Sequence, residues 1–264
     1  MTDATLKQYH YSLQRFCDHV KKPIALISSQ DIRLYLYNLS KESSISDKSL
    51  DNQRTYICSF FKWLAFNEYI SKDPSATISP IKCEKKERQP LTDTEMEALR
   101  GACKTVKEKA LIETLYSTGC RVSELINIKI EDIDFEKREV KVFGKGKKHR
   151  VTFLNAKALL AIRLMLGARS YSYEYLFEND RKPHGKLGKR SIEKIIRRLG
   201  EAAGISGKVF PHRIRHTTAT DALRRGMSIE QVQLFLGHEN VSTALEYAKV
   251  NRDEVKEKHA KYIV

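Results

Sequence analysis

The sequence predicts a mainly α-helical protein that has one small antiparallel β-sheet and is divided into two domains. Three observations support this fold class. The chain has 264 residues, more than the roughly 150 expected of one domain. Long stretches place apolar residues at steps of three and four, which is the period of an amphipathic helix. One later segment instead alternates apolar and polar residues around a Gly-Lys-Gly turn, which is typical of a β-hairpin.

The N-terminal 82 residues predict a helical domain. The stretch TLKQYHYSLQRFCDHV has its apolar residues at helical spacing, and SQDIRLYLYNL and RTYICSFFKWLAFNEYI repeat that period. Ser29 or Gln30, followed by Asp31, suits the start of the second helix. The Asp-Pro pair at 73–74 ends the helical pattern, because the residue before a proline is biased away from the helical region.

A linker is predicted at residues 83–90, between a first domain at 1–82 and a second at 91–264. Two prolines, a cluster of charges and no apolar period lie between Ile78 and Thr92. The alternative is a surface loop inside a single domain. Both flanking pieces carry a net positive charge, as the two lobes of a basic clamp would.

The sequence of the second domain predicts helices before and after a small sheet. Thr92 and Glu95 have the spacing of a capping box at the start of a helix. A further helix is expected at 107–117, with a break at Gly119. The segment DIDFEKREVKVFGKGKKHRVTFL then predicts an antiparallel hairpin. From Arg190 onward the pattern is helical again.

Composition restricts the classes of function. The formal net charge is +15, which is expected of a nucleic-acid-binding protein but also occurs in basic proteins that bind none. The chain has no apolar run of membrane-spanning length and no secretory signal pattern, so we expect a cytoplasmic protein without a membrane partner. The five cysteines are scattered, with no C-x-x-C pair and no histidine at zinc spacing, so we expect reduced thiols.

Two cationic clusters lie at predicted helix starts, where cations are locally unfavourable. Arg121 falls in the first turn of a helix opened by Gly119, and His212 and Arg215 follow Pro211, a favoured first-turn residue. Two such clusters indicate an oxyanion site, because free backbone N–H groups and guanidinium groups both bind phosphate. For either arginine alone, a surface ion pair is the alternative.

Two further residues have simple structural alternatives. Lys145 lies at the predicted hairpin tip, where a lysine is commonly a solubilising turn residue. Tyr247 follows His238 by nine residues on a short polar stretch, and a single tyrosine is commonly a core aromatic.

Taken together, these motifs resemble those of the tyrosine recombinase, or phage integrase, family. The matching positions fall in the family's order, and they cover residues 91–250. They are Arg121, Lys145, His212, Arg215, His238 and Tyr247. Glu124 matches the family's supporting acidic position. The resemblance implies a C-shaped DNA clamp, in which a helical core-binding domain precedes an α+β catalytic domain.

The resemblance also implies a site-specific recombinase in which Tyr247 attacks a DNA phosphodiester and forms a 3′-phosphotyrosine link. Arg121, Arg215 and His238 would stabilise the charge on the phosphate, His212 would assist deprotonation, and Lys145 would protonate the leaving oxygen. Neither metal, ATP nor another cofactor is implied.

The implied partner is a double-stranded recombination site, bound by a homotetramer on two sites and by a chain that is monomeric when free. Further DNA contacts are expected outside the catalytic set. They are Lys48, Ser49, Asn52, Arg54, Lys189, Arg190 and Arg197. A solvated surface charge is the alternative for each charged one.

Two other classes of function compete with this interpretation. A non-catalytic DNA-binding protein fits the segment 228–248, which has a helix-turn-helix pattern, but it leaves Arg121 and Lys145 without a role. A type IB topoisomerase-like or telomere-resolving enzyme would use the same chemistry without strand exchange.

Overall fold

The chain folds as two compact units, Met1–Glu87 and Arg88–Val264. The computed structural model describes residues 3–42, 45–83, 89–144, 149–171, 173–179 and 184–237. The first unit is helical, and the second combines helices with a three-stranded antiparallel sheet. The predicted fold class, mainly helical with one small antiparallel sheet, is therefore confirmed.

Three α-helices build the described part of the first unit. They are α1 (Asp3–Val20), α2 (Ser29–Lys41) and α3 (Asp47–Phe66). Ser28 is the N-cap of α2 and forms a capping box with Asp31. The helix thus begins at Ser29, as predicted, and Asp31 contributes to that start as expected. Ser46 caps α3 by accepting from the backbone N–H of Ser49.

The core of the first unit is formed by the apolar faces of these three helices. Its most buried members are Phe16, Ile32, Tyr35, Ile57 and Phe61. After α3 the chain returns along the same helix, where the Asp51 carboxylate accepts from the backbone N–H of Ile81 at 3.1 Å. This return fixes the end of the first unit against α3.

The second unit contains seven α-helices among its described residues. They are α4 (Asp93–Gly101), α5 (Val106–Thr118), α6 (Val122–Leu125), α7 (Ala156–Gly167), α8 (Lys189–Ala202), α9 (Pro211–Arg224) and α10 (Ile229–Leu236). The predicted capping box of Thr92 and Glu95 is confirmed at α4. The helix expected at 107–117 is α5. Gly119 ends α5 in the left-handed conformation, with φ of 54°.

The sheet has the order β1-β2-β3, with strands Ile133–Asp134, Glu139–Phe143 and His149–Phe153. All pairings are antiparallel, and Val142 faces Arg150 across β2 and β3. The predicted hairpin is confirmed, while its tip at 145–148 lies outside the described residues. The strands bury Val140, Val142 and Thr152 toward the helices.

No helix within the described ranges is long and apolar enough to cross a membrane. All five cysteines are free, as predicted, and none is paired in a disulfide.

Candidate active site

Arg215 is buried at the meeting point of two helix ends. Its residue exposure is 1%. The guanidinium donates to the backbone oxygen of Gly119, at the end of α5, and to that of Leu236, at the end of α10. Helix C-termini carry partial negative charge and unsatisfied carbonyls, so both bonds stabilise a buried cation. The position of Arg215 in α9 thus fixes a positive charge between α5 and α10.

Arg121 lies beside this group and is held by Glu124. Its backbone N–H donates to Glu124 Oε2 and its Nη1 to Glu124 Oε1, both at 2.8 Å. The structure corrects one expectation, because Arg121 is the N-cap of α6 rather than a first-turn residue, and Gly119 ends α5 instead of opening α6. The carboxylate of Glu124 offsets the cost of a cation at a helix start. The helix-start position of Arg121 therefore gives weaker support for a phosphate than predicted.

Three arginines donate to three consecutive carbonyl oxygens at the C-terminus of α10. Arg150 Nη1 donates to Phe235 O at 2.7 Å, Arg215 Nη2 to Leu236 O at 2.8 Å and Arg121 Nη2 to Gly237 O at 3.4 Å. Because those oxygens are adjacent along the chain, the three guanidinium groups lie together. The Arg121 side chain is 39% exposed, so this positive cluster reaches solvent. Such a cluster can bind an oxyanion.

Arg150 is a site residue that the sequence analysis missed. Its Nη2 donates to Glu124 Oε2 at 2.7 Å, while its side chain is only 15% exposed. The alternation of inward and outward side chains along the hairpin could have identified it. Arg150 precedes the buried Thr152 by two positions, so both side chains lie on the same, inward face of β3. An arginine at an inward position requires a partner.

The carboxylate of Glu124 stays charged although its side chain is only 2% exposed. Burial raises its pKa, but the N–H of Arg121 and the positive charges of Arg150 and Arg121 outweigh burial, so the pKa lies below its ordinary value. The neighbouring Cys120 thiol has its pKa raised to about 11, chiefly by burial. At neutral pH this thiol is therefore protonated.

Of the four remaining predicted catalytic residues, the structure describes only His212. His212 lies in the first turn of α9 with an exposed side chain, three positions before Arg215 on the same helix. Lys145, His238 and Tyr247 lie outside the described residues. Their catalytic roles stay predictions. His238 directly follows Gly237, which accepts from Arg121.

Across the described parts of the chain, no group of three or more histidine, cysteine, aspartate or glutamate residues has the arrangement of a metal site. The arginines of the candidate site are accompanied by the carboxylate of Glu124, which accepts from Arg121 and Arg150.

The four DNA contacts predicted at the start of α3 differ in their surroundings. Lys48, Ser49 and Asn52 are exposed. Arg54 is half-buried and donates to Asp51 at 2.8 Å, the carboxylate that also holds the backbone of Ile81. The geometry therefore gives Arg54 a structural role beside any contact with DNA.

The three contacts predicted on α8 are exposed. Lys189 and Arg190 lie in the first turn, which has Gly188 as N-cap and no acidic residue. Arg197 lies further along and pairs with Glu201 at 3.1 Å. Free N–H groups at the start of α8 thus lie next to two cations, an arrangement that suits a phosphate.

Two family patterns match this chain. The Phage integrase family matches residues 89–254, and the pattern described as Phage integrase, N-terminal SAM-like domain matches residues 1–71. The first match alone covers more than half of the chain.

Curated relatives and solved structures agree with this match. Tyrosine recombinase XerC of Leptospira interrogans serogroup Icterohaemorrhagiae serovar copenhageni is 30% identical over 97% of this chain and 86% of its own length. Tyrosine recombinase XerA of Pyrococcus horikoshii is 33% identical over 96% and 85%. The structure of XerH recombinase bound to palindromic difH substrate superposes with a TM-score of 0.80 at 21% identity, covering 97% of this chain and 79% of that one. The chain therefore belongs to the phage integrase family and is a site-specific DNA recombinase of the tyrosine recombinase class.

Proposed function

We propose that this recombinase cleaves and rejoins double-stranded DNA through a covalent 3′-phosphotyrosine link formed by Tyr247, without metal or ATP. The observation that carries the proposal is that Arg121 and Arg215 both donate to the C-terminal end of α10. Their guanidinium groups donate to adjacent carbonyl oxygens at the end of α10. The next residue in the chain is His238, which is predicted to be catalytic.

The cleavage step exchanges one P–O bond for another. The phenolic oxygen of Tyr247 attacks phosphorus, and the bond from phosphorus to the 5′-oxygen breaks. Tyrosine has an ordinary pKa of about 10, so it must lose its proton to a base, for which His212 is the candidate. Lys145 would protonate the leaving 5′-oxygen. Rejoining is the reverse reaction, and the phosphotyrosine keeps the bond energy, so no ATP is needed.

Fixed positive charge is the main catalytic contribution that the described residues can supply. The transition state places negative charge on the non-bridging phosphate oxygens, where preorganised guanidinium groups stabilise it most effectively. Arg215 is held by two helix ends and Arg121 by Glu124, so neither needs to be ordered at the moment of reaction. With His238, these groups supply the charge that a metal ion would otherwise provide.

The DNA partner follows from the chemistry of the exposed surface. The formal charge of +15 favours a polyanion. Lys189 and Arg190 at the start of α8, and Lys48, Ser49 and Asn52 at the start of α3, would contact phosphates. On this proposal the first unit is a DNA-binding domain, the second is catalytic, and four chains assemble on two recombination sites in the cytoplasm.

The experiment uses a nicked suicide substrate, in which cleavage releases a short oligonucleotide and traps the enzyme on DNA. We expect the wild-type chain to form a denaturant-resistant adduct with the strand on the 5′ side of the cut, and chelator to leave its yield unchanged. Tyr247→Phe should form no adduct while its DNA affinity stays within about threefold of wild type. Tyr37→Phe is the matched control, because Tyr37 is an exposed tyrosine of the first unit.

An adduct formed by Tyr247→Phe at wild-type yield would overturn the assignment of the nucleophile. A second assay, with two sites on one DNA, separates the related activities. Recombinant products are expected, whereas products that are only relaxed or that end in hairpins would indicate an enzyme without strand exchange.

A further inference from the structure

Arg150 connects the β-hairpin to two other parts of the candidate active site. It lies in β3, opposite the buried Val142 of β2. One side of its guanidinium donates to Glu124 and the other to the backbone oxygen of Phe235, both at 2.7 Å. A single side chain thus bonds to a carboxylate on α6 and to the C-terminus of α10.

The carboxylate that Arg150 holds is the one that orients Arg121. Glu124 Oε2 accepts from both Arg150 Nη2 and the backbone N–H of Arg121, while Oε1 accepts from Arg121 Nη1. Since Glu124 is almost fully buried, its orientation depends on these donors rather than on water. Removing one donor would let the carboxylate rotate and would change where the Arg121 guanidinium points.

The second anchor of Arg150 is a close backbone approach at Gly237. A Cβ added to Gly237 would lie 2.6 Å from Arg150 Cδ and 2.8 Å from its Nε, and φ at Gly237 is 66°. Both facts call for glycine at this position. The Arg150 side chain is therefore packed directly against the residue that precedes the predicted His238.

We propose that Arg150 is a positioning residue for strand cleavage, which fixes Arg121 through Glu124 and uses the C-terminus of α10 as its anchor. This inference rests on the proposed function, because it assigns Arg121 to the reacting phosphate. Arginine suits the role since its planar fork can bond to a carboxylate and a carbonyl at once, whereas the single ammonium of lysine cannot keep both bonds in that geometry.

A different role for Arg150 would be to place the hairpin that carries Lys145, five residues earlier in the chain. The two roles predict different responses to a chemical change in the substrate. A 5′-bridging sulfur leaves without protonation, so it removes the need for an acid at that position. A defect that acts through Lys145 is then rescued, whereas a defect that acts through Arg121 persists.

The experiment measures single-turnover cleavage of the suicide substrate at saturating DNA, with oxygen or sulfur at the 5′-bridging position. Arg150→Lys and Arg150→Met should each slow cleavage by about 100-fold on both substrates. Lys145→Ala is the matched control and should be rescued by sulfur. Rescue of the Arg150 variants by sulfur would overturn the proposal.

A double-mutant cycle tests the route through Glu124. In a Glu124→Gln background, the further change Arg150→Lys should alter the cleavage rate by less than about threefold. A full, additive effect of Arg150→Lys in that background would show that it acts elsewhere, which contradicts the proposal.

Misfolding and failure of the parent proposal each have their own signature. A partly unfolded Arg150→Met preparation lowers the amplitude of the cleavage reaction, whereas the cleavage rate of the folded fraction shows whether Arg121 is correctly positioned. A wild-type cleavage rate in both Arg150→Lys and Arg150→Met would make Arg150 purely structural and overturn the inference. If the wild-type chain itself forms no adduct, the proposed function fails instead.

Discussion

Arg215 donates to the backbone oxygen of Leu236 at 2.8 Å, which places a fully buried positive charge at the C-terminus of α10. The same guanidinium donates to Gly119 at the end of α5. Carbonyl groups at helix ends lack intrahelical partners, so the guanidinium supplies hydrogen-bond donors to both helix ends, and their carbonyl oxygens stabilise its buried charge. The group that is predicted to bind phosphate therefore also holds the second unit together.

We expect Arg215→Lys to lose both stability and cleavage. A lysine keeps the charge, but one ammonium group cannot reach both helix ends in the geometry of the guanidinium fork, so at least one buried carbonyl loses its donor. The free energy of unfolding should fall by roughly 1–3 kcal/mol, as measured by urea denaturation. Arg224→Lys is the control, because Arg224 is exposed and its ion pair with Asp221 contributes little. Equal stability of Arg215→Lys and wild type would contradict this account of the buried charge.

The stability that Glu124 contributes should depend on pH. Its pKa in the folded chain lies below the ordinary value of 4.5, because the donors from Arg121 and Arg150 outweigh the effect of burial. A carboxyl group of this kind stabilises the fold fully above pH 4.5 and loses that contribution as the pH falls through its folded pKa. The difference in unfolding free energy between wild type and Glu124→Gln should therefore narrow on acidification.

Urea unfolding of both proteins between pH 3 and pH 7 checks this expectation, within the pH range where the ordinary carboxyl group titrates. Glu97→Gln is the control. The charge of Arg100 lowers the Glu97 pKa too, but that carboxylate is exposed, so its pH-dependent difference should be smaller. A difference for Glu124→Gln that is constant over this range would mean that the carboxylate does not titrate as inferred.

The sequence predicted the helices and the hairpin because local physics determines them. Thr92 with Glu95 and the Pro211 helix start are short-range signals, and alternation in the hairpin fixes which side chains are buried. The start of α2 at Ser29 was predicted, but Ser28 was not named as its N-cap, because several polar residues in a row can serve. Such ambiguity is expected where neighbouring residues compete for one role.

The candidate site was predicted in part for a different reason. The spacing of the motifs and the resemblance to the tyrosine recombinase family identified Arg121, His212 and Arg215, and the same family resemblance identified Glu124. Spacing could not predict that α10 ends against Arg121, Arg150 and Arg215, since these contacts join positions 116, 85 and 21 residues apart in the chain. Arg150 was missed for this reason, because its partners Glu124 and Phe235 belong to two distant helices.

Gly119→Ala tests whether the packing of α10 against α5 supports the site. At Gly119 an added Cβ would lie 2.5 Å from Leu236 Cδ2, and φ is 54°, so alanine meets both a clash and an unfavourable backbone conformation. We expect the free energy of unfolding to fall by about 1–3 kcal/mol. Cleavage should slow as well, because moving Leu236 displaces the carbonyl that binds Arg215.

Gly101→Ala is the control, since nothing lies within 4 Å of its added Cβ and alanine favours a helix, so stability should rise by about 0.5–1 kcal/mol. Both variants are compared by thermal or urea unfolding and by single-turnover cleavage. A Gly119→Ala variant as stable and as active as Gly101→Ala would show that the contact between α5 and α10 can relax without cost, and that Arg215 does not depend on that contact.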